Sequence, residues 1–139
     1  MKKLLFFLLT VQLLIASDLK TEQKIYELIL HTVFPNKTVI KVWGDSIHNK
    51  ELLNTIPNII MTSSPQKADF LLLKEKLYSP VDGVVFVTNY KLLQKMDKSA
   101  IGGFFWQKGR PNILFLRKNL EKKHITLPSS MQEYIEDEI

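Results

Sequence analysis

The sequence predicts an α/β domain with a mostly parallel central sheet, a C-terminal antiparallel hairpin, and helices on both faces. Three segments are apolar at every position, which is typical of strands buried on both faces, namely Phe70–Leu73, Val84–Val87 and Ile113–Leu116. Helical segments alternate with these strands, as expected for a covered, mostly parallel sheet. Two apolar runs flank Gln107–Arg110, a pattern that favours a hairpin in which Gly109 takes a positive φ.

The first seventeen residues are typical of an export signal. A basic start, Lys2–Lys3, precedes an apolar stretch, Leu4–Ile15, and small residues follow at Ala16–Ser17, where a signal peptidase would cut. The apolar stretch is shorter than the roughly 20 residues that span a bilayer. We therefore expect residues 1–17 to be removed on export; an uncleaved anchor or a buried first helix is the alternative.

The remaining chain, residues 18–139, has the length of one domain and can bury a core without cross-links. It contains no cysteine, so no disulfide is expected even in an oxidising compartment. Removing the two lysines of the leader lowers the formal charge from +5 to +3. The other lysines are scattered along the sequence, which is typical of a solvated surface and argues against a nucleic-acid partner.

The first half of the domain alternates helices and strands. An amphipathic helix is predicted over Thr21–Phe34, because apolar residues recur there every three or four positions. The segments predicted after it are a strand at Thr38–Trp43, a turn at Gly44–Ser46, a short helix capped by Ser46 or Asn49, and a strand at Ile59–Met61.

The second half begins with the buried strands Ala68–Leu73 and Val84–Val87, and Thr88 or Asn89 is expected to cap a helix over Tyr90–Met96. After the hairpin, a helical turn or two is expected at Arg117–Lys123. A last helix is predicted to start at Pro128 with Ser129 and Gln132 as a capping box, and to bury Met131, Tyr134 and Ile135.

No catalytic set, metal site or cofactor site is predicted. His31, His48 and His124 have no metal-ligand spacing to one another or to carboxylates, and we expect them on the surface. None of the serines lies in a nucleophile-elbow pattern. The turn at Gly44 has one glycine and no following lysine, so it does not predict a phosphate-binding loop.

The first candidate site is the turn Gly44, Asp45 and Ser46, which follows a predicted strand. In open α/β sheets, ligands bind outside the carboxyl ends of the strands, so these residues could bind a small solute. The alternative is a tight turn followed by a helix cap.

The second candidate site is the hairpin. Phe104 and Trp106 point to one side of the strand and Phe105 to the other. One hypothesis is that Phe104 and Trp106, with Lys108 and Arg110, form a partner-binding surface, since Trp and Arg are enriched at binding hot spots. The alternative is core packing on both faces. We expect Phe105 to be part of the core and Trp106 to be at least partly exposed.

The order of these features resembles the YfiR-like family of small periplasmic regulators. Phe34–Pro35 lies where the family has an aromatic-proline pair at the end of its first helix, and Val39–Asp45 resembles its first strand with the Gly-Asp after it. Ala68–Leu73 resembles the central apolar strand. Val84–Thr88, followed by a short helix, Gly102–Gly103, a hairpin and a closing helix, resembles the second half.

The resemblance implies a periplasmic regulator without catalytic activity. Members of the family bind the periplasmic part of an inner-membrane signalling protein, typically a diguanylate cyclase or a sensor kinase, and restrain it. A homodimer is compatible with the sequence. Two other hypotheses are a small-solute-binding periplasmic domain that uses the strand end at Gly44 and Asp45, and an enzyme of unrecognised type.

Overall fold

The computed structural model describes residues 19–139, so the predicted export signal lies outside the described residues. Helix α1 covers residues 19–33. It is followed by β1 (Ile40–Gly44), α2 (Ile47–Asn54), β2 (Ile59–Met61), β3 (Phe70–Leu73), β4 (Val84–Val87), α3 (Tyr90–Lys95), β5 (Ala100–Gln107), β6 (Arg110–Leu116), α4 (Arg117–Lys122) and β7 (Ile135–Glu136), with 3₁₀ helices at Pro65–Lys67 and Ser129–Tyr134. Among the described residues, no helix combines the length and the apolar character needed to cross a bilayer.

The described strands form one seven-stranded sheet in the order β2-β1-β3-β4-β5-β6-β7. The strands from β1 to β5 pair in parallel, β6 pairs antiparallel with β5, and β7 pairs in parallel with β6. The predicted fold class is therefore confirmed. Because the chain passes from β1 outward to β2 and then back to β3, the carboxyl ends of β1 and β3 flank a topological switch point, where open α/β sheets leave a crevice.

Both faces of the sheet are covered, which explains the uninterrupted apolar runs. Phe70, Leu72 and Phe86 face α1 and α2, whereas Leu71 and Val85 belong to the core beneath α3. Successive strand residues point to opposite faces, so a strand buried on both sides must be apolar at each position.

The β5–β6 hairpin extends beyond the rest of the sheet. β4 pairs with β5 only as far as Gly103, and β7 pairs only with Phe115 and Leu116 of β6. Residues 105–112, which we call the hairpin tip, are exposed or half-buried. At the base, a Cβ on Gly102 would lie 2.1 Å from the Leu114 carbonyl oxygen, so the two strands approach each other too closely for any side chain there.

The turn of the hairpin is a two-residue turn with two positive φ angles, 52° at Lys108 and 73° at Gly109. This is the combination of a type I′ turn, whose twist matches that of the flanking strands. The positive φ of Gly109 is as predicted, while that of Lys108 was not predicted.

The last helix starts where it was predicted and buries Met131, but its type, its cap and its end differ from the prediction. Ser129–Tyr134 forms a 3₁₀ helix without a side-chain cap, and Gln132 donates its side-chain N–H to the Leu127 carbonyl oxygen at 2.9 Å. Ile135–Glu136 then forms strand β7 against β6. The base of β6 offers an unpaired edge, and pairing with that edge satisfies backbone groups that an isolated short helix would leave without partners.

Candidate functional site

The turn after β1 uses its polar side chains to hold the backbone. The Asp45 carboxylate accepts the backbone N–H of Lys74 at 2.9 Å and that of Glu75 at 2.8 Å. It also accepts the Asn49 side-chain amide at 3.2 Å. Asp45 therefore ties the end of β1 to the segment that leaves β3, and few of its oxygen lone pairs remain for a solute.

Gly44 and Ser46, on either side of Asp45, also have structural roles. The Ser46 hydroxyl accepts the Asn49 backbone N–H at 3.1 Å and caps α2, as predicted. A Cβ on Gly44 would lie 3.1 Å from the Asn49 Cβ, so glycine permits the close approach of α2. The turn thus has the geometry of the alternative interpretation, a tight turn with a helix cap, and its Ser46 lines a cleft.

That cleft lies at the predicted edge of the sheet, at the carboxyl ends of β1, β3 and β4. Its volume is about 310 Å³. Helix α1 contributes Glu22 and Tyr26 to its lining, and β5 contributes Phe104 and Trp106. Among the residues that line it are Glu22, Ser46, His48, Lys74 and Trp106. The cleft therefore combines aromatic surface with one acidic group, one basic group and one imidazole.

A carboxylate on α1 organises the polar part of the cleft. Trp106 donates its indole Nε1–H to Glu22 Oε1 at 2.7 Å, and His48 Nε2 lies 3.4 Å from Glu22 Oε2. The Glu22 side chain is only 14% exposed. These contacts connect α1, the start of α2 and the end of β5, and they fix the orientation of the indole at the mouth of the cleft.

The floor of the cleft is aromatic. Tyr26 packs edge-on against Phe104, with ring centroids 5.6 Å apart, and against Phe86 at 5.9 Å. Burial, with a smaller contribution from the negative charge of Glu22, raises the pKa of Tyr26 well above its usual value. The Tyr26 phenol therefore stays neutral over the physiological range.

The four residues of the predicted partner surface differ in how far they are exposed to solvent. Phe104 is 3% exposed and belongs to the core, so it supports the surface from below and cannot anchor a partner directly. Trp106 is 37% exposed and packs edge-on against Phe104 at 5.8 Å. Lys108 and Arg110 are exposed at the hairpin tip. Phe105, which we expected in the core, is half-buried and packs against Tyr90 at 5.7 Å.

The two sites predicted from the sequence meet at one place, since Ser46 and Trp106 line the same cleft. Glu22, Tyr26 and His48 were not predicted as site residues. Glu22 is 84 positions from Trp106, and nothing in the local pattern connects the two. Covariation between distant positions is the kind of signal that could have shown the contact.

Within residues 19–139, no three His, Cys, Asp or Glu side chains are grouped so that they could hold a metal ion. No family model matches the chain, and no curated protein matches it. The resemblance to the YfiR-like family therefore stays a prediction, based on the residues that suggest it.

Proposed function

We propose that this protein is a non-enzymatic periplasmic regulator that binds the periplasmic part of an inner-membrane signalling protein, a diguanylate cyclase or a sensor kinase. The hairpin tip would make the contact. The observation that carries the proposal is the display of Trp106, Lys108 and Arg110 on a two-stranded ribbon that extends beyond the rest of the sheet.

Trp106 has the features of a preorganised anchor. Its indole is held by Glu22 on one side and by Phe104 on the other, while about a third of its surface remains exposed. A side chain that is already fixed loses little conformational entropy when a partner covers it. Trp is also among the residues that contribute most to binding energy at interfaces.

The cations of the tip favour an acidic partner. Lys108 and Arg110 flank Gly109 in the turn, and within the described chain neither forms an ion pair with a carboxylate. Exposed charges of one sign at the rim of an interface steer the encounter and raise the association rate. We therefore expect association with the partner to be faster at low salt.

The two edges of the ribbon differ in what they offer a partner. Gln107 and Arg110 close the two-residue turn as a hydrogen-bonded pair, so the next pair, Trp106 and Pro111, directs its backbone groups away from the hairpin. Pro111 has no N–H and blocks strand addition along β6. No described strand continues beside Trp106, so an extended partner segment could pair along β5.

The proposal is tested by capturing the partner from membranes of the native host and titrating its periplasmic domain with the protein. Trp106→Ala should weaken binding by about 2 kcal/mol, roughly thirtyfold. Tyr78→Ala is the matched control, because Tyr78 is 86% exposed and lies outside the hairpin. Equal affinity of the Trp106→Ala variant and the wild type would contradict the assignment of the partner surface to the hairpin tip.

A second candidate function is the binding of a small solute in the cleft beside Glu22. Its support is the position of the cleft at the switch point of the sheet, together with its aromatic and charged lining. Mass spectrometry under non-denaturing conditions, on protein purified from the native host, would detect a bound small molecule. A solute that stays bound to the Trp106→Ala and Glu22→Ala variants would not occupy this cleft.

A further inference from the structure

Positive charge is unevenly distributed between the two covering layers of the sheet. Helix α1, on one face, carries two lysines and two glutamates in residues 19–33. Helix α3, on the other face, carries Lys91 and Lys95 and no acidic residue. The segment that packs beside α3 adds Lys74 and Lys76. The scattered lysines of the sequence thus come together in space.

Four of these lysines surround one cleft. Lys74, Lys76, Lys91 and Lys95 line an open depression of about 420 Å³, and among the described residues that line it Glu75 alone is acidic. Tyr78, 86% exposed, lines the same depression, and the Lys76 Nζ lies 5.3 Å from the centre of its ring. The depression therefore combines a high density of positive charge with an exposed aromatic ring.

The positive surface continues past α3. Three more lysines line a second depression, of about 340 Å³, which has Leu77 and Met96 in its wall. Leu77 and Met96 belong to the core beneath α3, so both depressions lie on the same layer. We call the seven lysines the lysine face, namely Lys74, Lys76, Lys91, Lys95, Lys98, Lys122 and Lys123.

No lysine of the lysine face forms an ion pair within the described chain. The ion pairs found in residues 19–139 involve Lys37, Arg117 and two histidines, and none involves a lysine of this face. Two members contact backbone carbonyl oxygens, Lys122 with that of Lys98 at 3.5 Å and Lys123 with that of Asp82 at 2.7 Å. Such contacts leave the positive charge in place for an external anion.

We propose that the lysine face binds the surface of an anionic phospholipid bilayer. Three observations favour a lipid surface over an acidic protein. The face spreads over two depressions and is not centred on one pocket. All seven cations are lysines, which act as flexible point charges, whereas arginine is the usual choice for the bidentate recognition of carboxylates. An exposed tyrosine, Tyr78, lies among them, and tyrosine is enriched at membrane–water interfaces.

The proposal does not depend on the function assigned to the hairpin tip. Lys74 and Asn89 line both the Glu22 cleft and one depression of the lysine face, whereas Trp106 lines neither depression of that face. Asn89 donates its side-chain N–H to the Lys74 carbonyl oxygen at 3.2 Å. A bilayer bound to the lysine face would therefore leave Trp106 free to contact a protein partner.

The test is sedimentation of the purified chain with vesicles of phosphatidylglycerol and phosphatidylcholine, compared with vesicles of phosphatidylcholine alone. Each lysine near an anionic surface contributes about a fivefold gain in partitioning. The variant in which Lys74, Lys76, Lys91 and Lys95 are all changed to Gln should therefore bind at least about a hundredfold more weakly. Raising the salt to ~1 M, where the Debye length is about 3 Å, should release the wild type.

Two further variants test whether a loss of vesicle binding comes from the lysine face itself, from the lower net charge or from misfolding. The control with Gln at Lys20, Lys24, Lys41 and Lys50 removes four exposed lysines outside the lysine face, and it should bind like the wild type. The variant with Arg at the four positions Lys74, Lys76, Lys91 and Lys95 keeps the charge and should also bind. All variants begin at the same residue, so differences between them come from the substituted lysines alone.

Two outcomes would overturn the proposal. One is wild-type binding to anionic vesicles that is no stronger than binding to neutral vesicles, which would favour an acidic protein as the occupant of the face. The other is an equal loss of binding in the two Gln variants, which would show that net charge alone drives the association. Thermal melts of each variant confirm that the substitutions leave the fold intact, as expected for exposed side chains.

Discussion

The turn after β1 and the hairpin tip were the two candidate sites in the sequence, and they use their polar groups in opposite ways. In the turn, the Asp45 carboxylate accepts two backbone N–H groups and the Asn49 amide. At the tip, Lys108 and Arg110 are exposed, and Trp106 is fixed by one hydrogen bond while its ring remains partly exposed.

The difference shows that residue type does not decide whether a polar side chain is available for binding. A carboxylate at a strand end is available only if no backbone donors reach it, and donors from a neighbouring strand cannot be seen in the local sequence. The tip lies beyond the strands that flank it, so few groups of the same chain can reach its side chains. We therefore expect substitutions in the turn to lower the stability of the protein and substitutions at the tip to lower its affinity for a partner.

The largest expected loss of stability is at Phe104, where the core meets the hairpin tip. Phe104→Ala should destabilise the protein by about 3–5 kcal/mol, because the lost burial and the cavity add. Trp106→Ala, two residues further along the same strand face, should cost only about 1–2 kcal/mol, since part of the ring is already in water. Denaturant melts of both variants measure the difference. Equal losses would show that the tip belongs to the core.

The next effect is expected in the turn. Asp45→Ala should cost about 2–3 kcal/mol, because hydrogen bonds to a charged acceptor contribute more than neutral ones and their removal unties the end of β1 from the segment after β3. Asp97→Ala is the matched control: Asp97 is exposed, and its loss should change the free energy of unfolding by about 0.5 kcal/mol or less. A cost at Asp45 no larger than at Asp97 would instead leave its carboxylate free for a ligand.

The sequence predicted the features of the fold that arise from local pattern. Val84–Val87 is a strand with the predicted bounds, and Ser46 and Asn89 cap the helices that follow them. The positive φ of Gly109 is also as predicted. Each of these depends on residues within a few positions of one another, where periodicity and capping chemistry carry most of the information.

The features that were missed depend on tertiary contact. Strand β7 forms where a helix was predicted, because the base of β6 offers a free edge. Glu22 was predicted only as part of the helix over Thr21–Phe34, although it accepts the indole N–H of Trp106. The lysines of positions 74 and 76 join those of positions 91 and 95 only after β3 and β4 pair. Contacts across such separations have no local sequence signature.

Tyr26, beneath Phe104, extends the comparison to pH. Its folded-state pKa is raised above the unfolded value near 10.0, so the folded state keeps a proton that the unfolded state loses. Its contribution to stability is complete below pH ~10 and should fall by about 1.4 kcal/mol for each pH unit above it. Tyr26→Phe should remove this slope, and Tyr78→Phe, at an exposed ring, should not. Melts between neutral and alkaline pH would contradict this if the slopes of the two variants were equal.

The smallest expected effect is the coupling energy of the hydrogen bond that holds the Trp106 indole. The contact between Trp106 and Glu22 has a charged acceptor, but the indole is partly solvated, so its coupling energy should be about 0.5–1 kcal/mol. A double-mutant cycle of Trp106→Phe and Glu22→Ala measures this energy directly. Glu27, on the same helix, lies 3.9 Å from His31 and is the control; its coupling to Trp106 should be about 0.3 kcal/mol or less.

The result of this cycle decides how the tip presents its anchor. A coupling energy in the expected range means that Trp106 is oriented before a partner arrives. Glu22→Ala should then weaken partner binding, although Glu22 does not itself contact the partner. Asp45→Ala should leave partner affinity unchanged in molecules that remain folded, because it lies outside the tip. A coupling energy of zero between Trp106 and Glu22 would mean that the indole is not held in place before binding. The proposal that Trp106 is a preorganised anchor would then be wrong.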